Sequence, residues 1–341
     1  MNLAWSNALS QHRQLKSKLS VLLPGLLICL VVAMSAQFVS EHYGGPAILY
    51  ALLLGMAFNH LAVEGRCVAG IQVSAKSVLR FGIALLGARI TIEQLAELGI
   101  IPIVIVVLGI PLTIVFGWLT GRLLGLGNSQ SILTGSAVGI CGASAALAVA
   151  SVLPQNKETE KHLIFTVIGV TALSTLAMIV YPLLVNWLAF TPQQSGIFLG
   201  ATIHDVAQVV GAGYMISNEV GDVATFTKLL RVAGLVPVVV VLSVLVSRSG
   251  QGKNRVSQAP LPGFLVAFVV VVILNSMGWI SSELQSGMTE LSRWCLLVAM
   301  VGLGMKASFK ELSSLGWRPA VLMVAETVFL ALLAVLLLVC M

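Results

Sequence analysis

Charge is scarce in this chain. Only 9% of its residues are Asp, Glu, Lys or Arg, against about 25% in soluble globular domains. Aromatic residues are also few, at 6%. The chain is 58% hydrophobic with a mean hydropathy of +1.01, more apolar surface than a soluble core can hide. These values exclude a soluble enzyme or binding module and indicate a polytopic membrane protein. Five cysteines (Cys29, Cys67, Cys141, Cys295 and Cys340) make no CxxC pair and no metal-ligand spacing, so neither a disulfide framework nor a zinc site is indicated. No Walker A run occurs and the loops are too short for a nucleotide domain, which argues against ATP-driven transport. GxSxG and HExxH are missing as well. Residues 1–18 are polar and basic, and the first apolar run lacks a small-residue cleavage site, so it reads as a retained span. The net charge of +6 lies in short loops rather than in a stripe, which gives no nucleic-acid signal. No cofactor and no metal are expected.

What the chain does have is long apolar runs. A spanning helix needs about 20 mostly apolar residues. Eleven stretches qualify: 20–40, 46–63, 68–91, 98–121, 130–153, 162–187, 193–216, 225–246, 261–281, 287–309 and 318–340. The expected fold is an all-α membrane protein. It has a cytoplasmic segment over 1–18, a leading helix within 19–45, and two five-helix repeats, 46–187 and 193–341. Five is odd, so the second repeat runs inverted. With the N-terminus inside, thirteen of the 19 Lys and Arg residues fall on the cytoplasmic side, Lys253, Arg255 and Lys310 among them. Six (Arg89, Lys157, Lys161, Lys228, Arg231 and Arg293) fall on the other side, as the positive-inside rule requires, and the C-terminus is then outside. Trp118, Trp187, Trp279, Trp294 and Trp317 lie near span ends, where indoles favour the interface.

Two internal matches support inversion. In the first, Gly55–Ala62 resembles Gly200–Ala207, and Val78–Phe81 resembles Leu229–Val232. In the second, Gly87–Gly99 resembles Gly304–Gly316, each followed by a proline three residues on. Both cannot be ancestral, and helix order favours the first. Paired inverted units are common in secondary transporters, with the site at the midplane between them.

The polar residues inside the spans are the candidates for function. His204, Asp205 and Gln208 lie in a stretch otherwise apolar enough to cross a bilayer. A carboxylate at mid-membrane costs roughly 2.5–3.5 kcal/mol on insertion scales, so it persists only where protein or water surrounds it. Segment 130–153 carries Gly135, Gly139 and Gly142 with Ser136, Cys141 and Ser144, a poor composition for an unbroken helix. One reading is a break whose half-helix N-terminus offers N–H groups to an anion. The other is tight packing through small residues. Lys228 and Arg231 share a helix face near the entrance of their span. They either snorkel to the headgroups or line a cavity. Asn59, His60, Arg80 and Glu326 are secondary candidates. Asn59 and His60 sit near a span end, Arg80 suits a positive-inside anchor, and Glu326 is either a proton site or paired with a helix neighbour.

Segments GIALLGARI (82–90), TGSAVGICGASAALA (134–148), ATIHDVAQVVGAG (201–213) and TKLLRVAGLVP (227–237) resemble the signature segments of the YeiH-type family of bacterial inner-membrane proteins. That family's usual label names a sulfate exporter. The resemblance covers nearly the whole chain after residue 18. It implies membership of the cation–proton antiporter and anion transporter superfamily, with a panel domain, a core domain of crossing broken helices, and elevator-like movement.

The leading expectation is a secondary transporter of a small anion, sulfate or an organosulfonate, coupled to an ion or proton. Its partners are the solute and the lipid bilayer, with a homodimer left open. Arg231 and Lys228 would supply charge, and N–H groups near Gly139, Cys141, Gly142 and Ser144, with Gln208, would bind oxyanion oxygens. His204 and Asp205 would carry the coupling proton or shape a cation site. Asp205 could also neutralise Arg231 in the empty state. The runner-up is a cation–proton antiporter. A third reading, an intramembrane serine hydrolase, needs Ser144 and His204 within hydrogen-bond reach.

Overall fold

The computed structural model of the chain describes residues 2–44, 46–154, 157–248, 263–307 and 316–340, and every regular element among them is a helix. Lys253, Arg255 and Lys310 of the orientation count, and residues 308–315 of the second internal match, lie outside the described residues. Besides short helices at His60–Val63 and Ile92–Glu97, the elements are α1 (Asn2–Tyr43), α2 (Ala47–Ala57), α3 (Val68–Arg89), α4 (Ile101–Leu123), α5 (Asn128–Gly139), α6 (Ala143–Val152) and α7 (Lys157–Trp187). They continue as α8 (Pro192–Thr202), α9 (Val206–Ile216), α10 (Asn218–Ala233), α11 (Leu235–Arg248), α12 (Gly263–Ser276), α13 (Ser282–Lys306) and α14 (Trp317–Cys340).

Among the described residues seven stretches are long and apolar enough to cross a membrane: α1 from Ser20, α3, α4, α7, Asn218–Leu245 (α10 running into α11), α13 and α14. Their surfaces expose Val107, Leu119, Val241 and Leu332, side chains that acyl chains rather than water solvate. The other four expected stretches are short or broken. The stretch at 46–63 forms only α2 and a single turn at His60–Val63, and 261–281 forms only α12. The stretches at 130–153 and 193–216 are interrupted at 140–142 and 203–205. By contacts the chain divides into two compact units, Met1–Thr91 with Ala267–Ala307, and Ile92–Val266 with Ser308–Met341. This division does not follow the blocks 46–187 and 193–341.

The first unit explains why α2 and α12 stop early. Asn59, just past α2, donates from Nδ2 to the carbonyls of Met305 (2.6 Å) and Ala307 (3.1 Å) at the end of α13. Asn275, at the end of α12, donates to the Ile90 carbonyl (3.2 Å) after α3, and Gln285 donates to Ala88 (2.9 Å). The glycines pair in the same way. A side chain at Gly304 would strike the backbone of α2 at Leu52, and one at Gly87 would strike α12 at Phe268. Placing Gly87 on Gly304 puts Ala88 on Met305 and Ile90 on Ala307, so the two sets of contacts are reciprocal. They follow the second internal match, not the helix-order one. Asn59→Leu leaves two helix-end carbonyls without their donor, worth about 1–3 kcal/mol. A lower melting temperature in detergent is the expected result, and Asn59→Asp, which brings no donor, should not restore it.

In the second unit, small residues let helices approach closely. On α4, Gly117 and Gly121 face Gly135 and Ser131 of α5. Gly196 and Gly200 of α8 abut Val223, Ala224 and Thr227 of α10, while Gly213 of α9 meets Gly221. Helix α10 therefore runs against both halves of the α8–α9 pair. Helix α14 packs on α4, α5, α7 and α8, and Phe329 stacks on Phe116 with centroids 4.2 Å apart.

Candidate functional site

Two interrupted helices meet within the second unit. One chain break, Ile140–Gly142, separates α5 from α6, and the other, Ile203–Asp205, separates α8 from α9. Gly142 has φ +63° and ψ −127°, a conformation that costs a residue with a Cβ roughly 1–3 kcal/mol. Glycine there lets the chain leave α5 and restart as α6. Gly142 lies against His204, whose Cβ would be 3.6 Å from any Cβ at 142.

Each break leaves a helix C-terminus with unpaired carbonyls and about half a negative charge. Lys228 and Arg231 supply the missing donors. Lys228 Nζ donates to the carbonyls of Ile140 (2.8 Å) and Ile203 (2.9 Å), one from each break. Arg231 donates through Nε to Gly139 (3.1 Å), through Nη2 to Val138 (2.7 Å), and through Nη1 to Gly200 (3.3 Å) and Ile203 (3.2 Å). The two cations thus fasten the ends of α5 and α8 together. They are 0% and 1% exposed, so neither snorkels. Of three ammonium and five guanidinium hydrogens, one on each side chain stays uncommitted.

Sequence reading puts Lys228 and Arg231 near a span entrance, whereas the structure puts them deep within one. Helix α10 begins at Asn218, capped by Ser217 Oγ accepting from the Val220 N–H (3.2 Å), and includes Glu219 and Asp222. Those acidic residues end a hydropathy run without ending the helix. Asp222 accepts from the Tyr214 hydroxyl.

Asp205 does not pair with Arg231. It caps α9, its Oδ1 accepting from the Ala207 N–H (2.8 Å), while its own N–H donates to Ser174 Oγ of α7 (2.9 Å). Gln208 donates from Nε2 to Thr175 Oγ1 (2.8 Å), and its Oε1 has no partner among the described residues. His204, fully buried, places Nε2 3.0 Å from Thr327 Oγ1 of α14. The Thr327 hydroxyl donates to the Met323 carbonyl, so the histidine is the donor of that bond. Ser144 is exposed near the start of α6, and Cys141 is buried within the break. His204 Nε2 bonds Thr327, and no hydrogen bond joins His204 to Ser144 among the described residues.

The structure therefore gathers Gly139, Cys141, Gly142, His204, Lys228 and Arg231 around the two breaks, with Asp205 and Gln208 opening α9 and Ser144 opening α6. Glu326, on α14, lies beside Thr134 of α5. Asn59, His60 and Arg80 belong to the other unit. There Asn59 holds a helix end, His60 is exposed beside Phe58, and Arg80 is exposed. Sequence reading missed Thr134, Ser174, Thr175 and Thr327, hydroxyls whose partners lie 31 to 192 residues away.

The helix ends at the two breaks, two C-terminal and two N-terminal, cancel at about half a charge each. Lys228, Arg231 and Asp205 then leave a formal +1. The ends are not equivalent in capping. Asp205 caps α9, but Gly142 gives α6 no side-chain cap. The first N–H of α6 bonded within the helix is that of Ala146, to Gly142. Among the described residues no hydrogen bond is donated by the N–H groups of Ala143 and Ser144, which leaves them open.

Membrane proteins similar to this chain over most of its length are known. The profile of a family described as Conserved hypothetical protein 698 matches residues 24–323. A UPF0324 membrane protein of Chlorobaculum tepidum is 51% identical, over 91% of this chain and 87% of its own. One from Rhizobium meliloti is 51% identical over 95% and 96%. The UPF0324 membrane protein TauZ of Paracoccus denitrificans is 49% identical over 90% and 92%.

Proposed function

Since the chain belongs to the Conserved hypothetical protein 698 family, that of the YeiH-type and UPF0324 membrane proteins, we propose that it is a secondary transporter of a small anion. Sulfate or an organosulfonate is the substrate class, and transport is coupled to an ion or proton. The protein sits in a bacterial inner membrane with its N-terminus in the cytoplasm.

One observation carries this reading. Asp205 places an anionic oxygen on the N-terminus of α9, and the matching end of α6 has no such group. An oxyanion arriving there meets the N–H groups of Ala143 and Ser144 at a positive helix end, beside a centre of formal charge +1. Lys228 and Arg231 act mainly by holding the two breaks in place. Their remaining hydrogens and the positive field favour the anion without a direct ion pair.

A cation–proton antiporter fits less well. It needs paired carboxylates at one site, whereas Asp205 is engaged with the α9 backbone and Glu326 stands apart on α14 beside Thr134. Purified protein in proteoliposomes decides between them. Saturable uptake of radiolabelled sulfate or methanesulfonate, competed by the unlabelled anion, is expected. Flux that follows sodium and pH but ignores anions would establish the antiporter instead.

A further inference from the structure

Glu326 takes no part in the break geometry, yet it is the one carboxyl group fully buried among the described residues of this unit. Its Oε1 accepts from Thr134 Oγ1 of α5 (2.9 Å) and presses on Gly117 of α4, where any added side chain would collide with it. Its Oε2 has no hydrogen-bond partner among the described residues.

The elements packed on α14 bring it no counter-ion. Helices α5 and α8 carry no charged residue. On α4, Arg122 stacks over Trp118, and on α14 itself Arg318 lies over Trp317. The charges of α7 (Lys157, Glu158, Glu160, Lys161, with His162) are confined to its first two turns, and Tyr181 is its other titratable group. His204 faces the neighbouring residue, Thr327. None of these forms an ion pair with Glu326 among the described residues. Lys228 and Arg231, the two buried cations, are bonded to carbonyls. An ionised carboxylate here would keep an oxygen with neither solvent nor donor, an expensive state. A proton on Oε2 removes the charge and needs no space.

We infer that Glu326 binds and releases the proton that couples to anion movement, and that α14 links this event to the site. This assignment rests on the transporter reading and moves the coupling role away from His204 and Asp205. The link is covalent and short. Glu326 bonds to α5 through Thr134, and the next residue, Thr327, holds His204 at the α8–α9 break. Proton binding forms an O–H bond at Oε2 and removes the negative charge. Release restores the charge and strengthens the Thr134 bond, since charge-assisted hydrogen bonds are about twice as strong as neutral ones. The sign of coupling follows from electrostatics. An anion bound nearby repels an ionised carboxylate and favours the protonated form, so proton and anion travel in the same direction.

The test compares two assays in proteoliposomes, using radiolabelled sulfate or methanesulfonate, whichever the wild type exchanges. Counterflow, with anion on both sides and no gradient, needs no proton movement. Accumulation driven by an acid exterior does. Glu326→Gln, uncharged and of the same shape, is expected to keep counterflow and lose gradient-driven accumulation. Glu326→Asp should regain part of it. Wild-type accumulation in Glu326→Gln, or equal loss of both assays, overturns the assignment while leaving the transporter reading intact. Absence of counterflow in the wild type overturns that reading and this one with it.

Discussion

Arg231→Ala is expected to yield little folded protein in the membrane, rather than a stable but inactive one. The guanidinium holds four buried carbonyls, those of Val138, Gly139, Gly200 and Ile203, at the ends of two different half-helices. Each buried acceptor left without a donor costs about 1–3 kcal/mol. Their sum rivals the whole stability of a typical domain, about 5–15 kcal/mol. Arg231→Lys should recover only part of the loss. An ammonium is a point charge without the planar fork that lets one side chain reach both helix ends. Lys228→Met removes two bonds instead of four and should be milder. Melting temperature and size-exclusion profile of the detergent-extracted protein read these effects. An Arg231→Ala protein that melts like wild type would mean the two helix ends do not need the guanidinium.

The second large effect is expected from Ser144→Asp. The substitution puts a fixed carboxylate at the start of α6, where the incoming anion would sit. At a separation of roughly 5 Å and an effective dielectric of about 20, two like charges repel by about 3 kcal/mol. Anion affinity should fall about a hundredfold. The fold should not suffer, because acidic residues at a helix N-terminus stabilise it by about 0.3–1 kcal/mol, and Ser144 is exposed. Ser144→Ala, which leaves the backbone N–H groups in place, should bind nearly as wild type does. Titration of sulfate or methanesulfonate by thermal shift separates the three proteins, since a ligand of the native state raises its melting temperature. Equal affinity in Ser144→Asp and wild type would place the anion elsewhere.

Much of the site can be read from residue type and spacing. Glycines at 139 and 142 mark one interruption, and a His–Asp pair within an apolar stretch marks the other. The three-residue spacing of Lys228 and Arg231 puts both on one face, toward both breaks. What those cations do is not legible, because their acceptors are backbone carbonyls, which leave no trace in sequence. The capping role of Asp205 is legible. Asp205-Val206-Ala207-Gln208 has an N-cap residue followed at N3 by glutamine, the pattern of a helix start, which points to a capping role. The start of α10 misleads because Glu219 and Asp222 interrupt hydropathy inside a helix that continues through them. Asn59 and Asn275 act as matched caps in a register that weak internal similarity alone does not favour. Thr134 and Thr327 matter only through tertiary contact.

The most direct test of an anion seated on α6 is hydrogen exchange of purified protein with and without saturating sulfate or methanesulfonate. Slower exchange is expected at the amides of Ala143 and Ser144, with little change at Ala207, whose N–H Asp205 already holds. Anion binding with unaltered exchange at Ala143 and Ser144 would contradict the account.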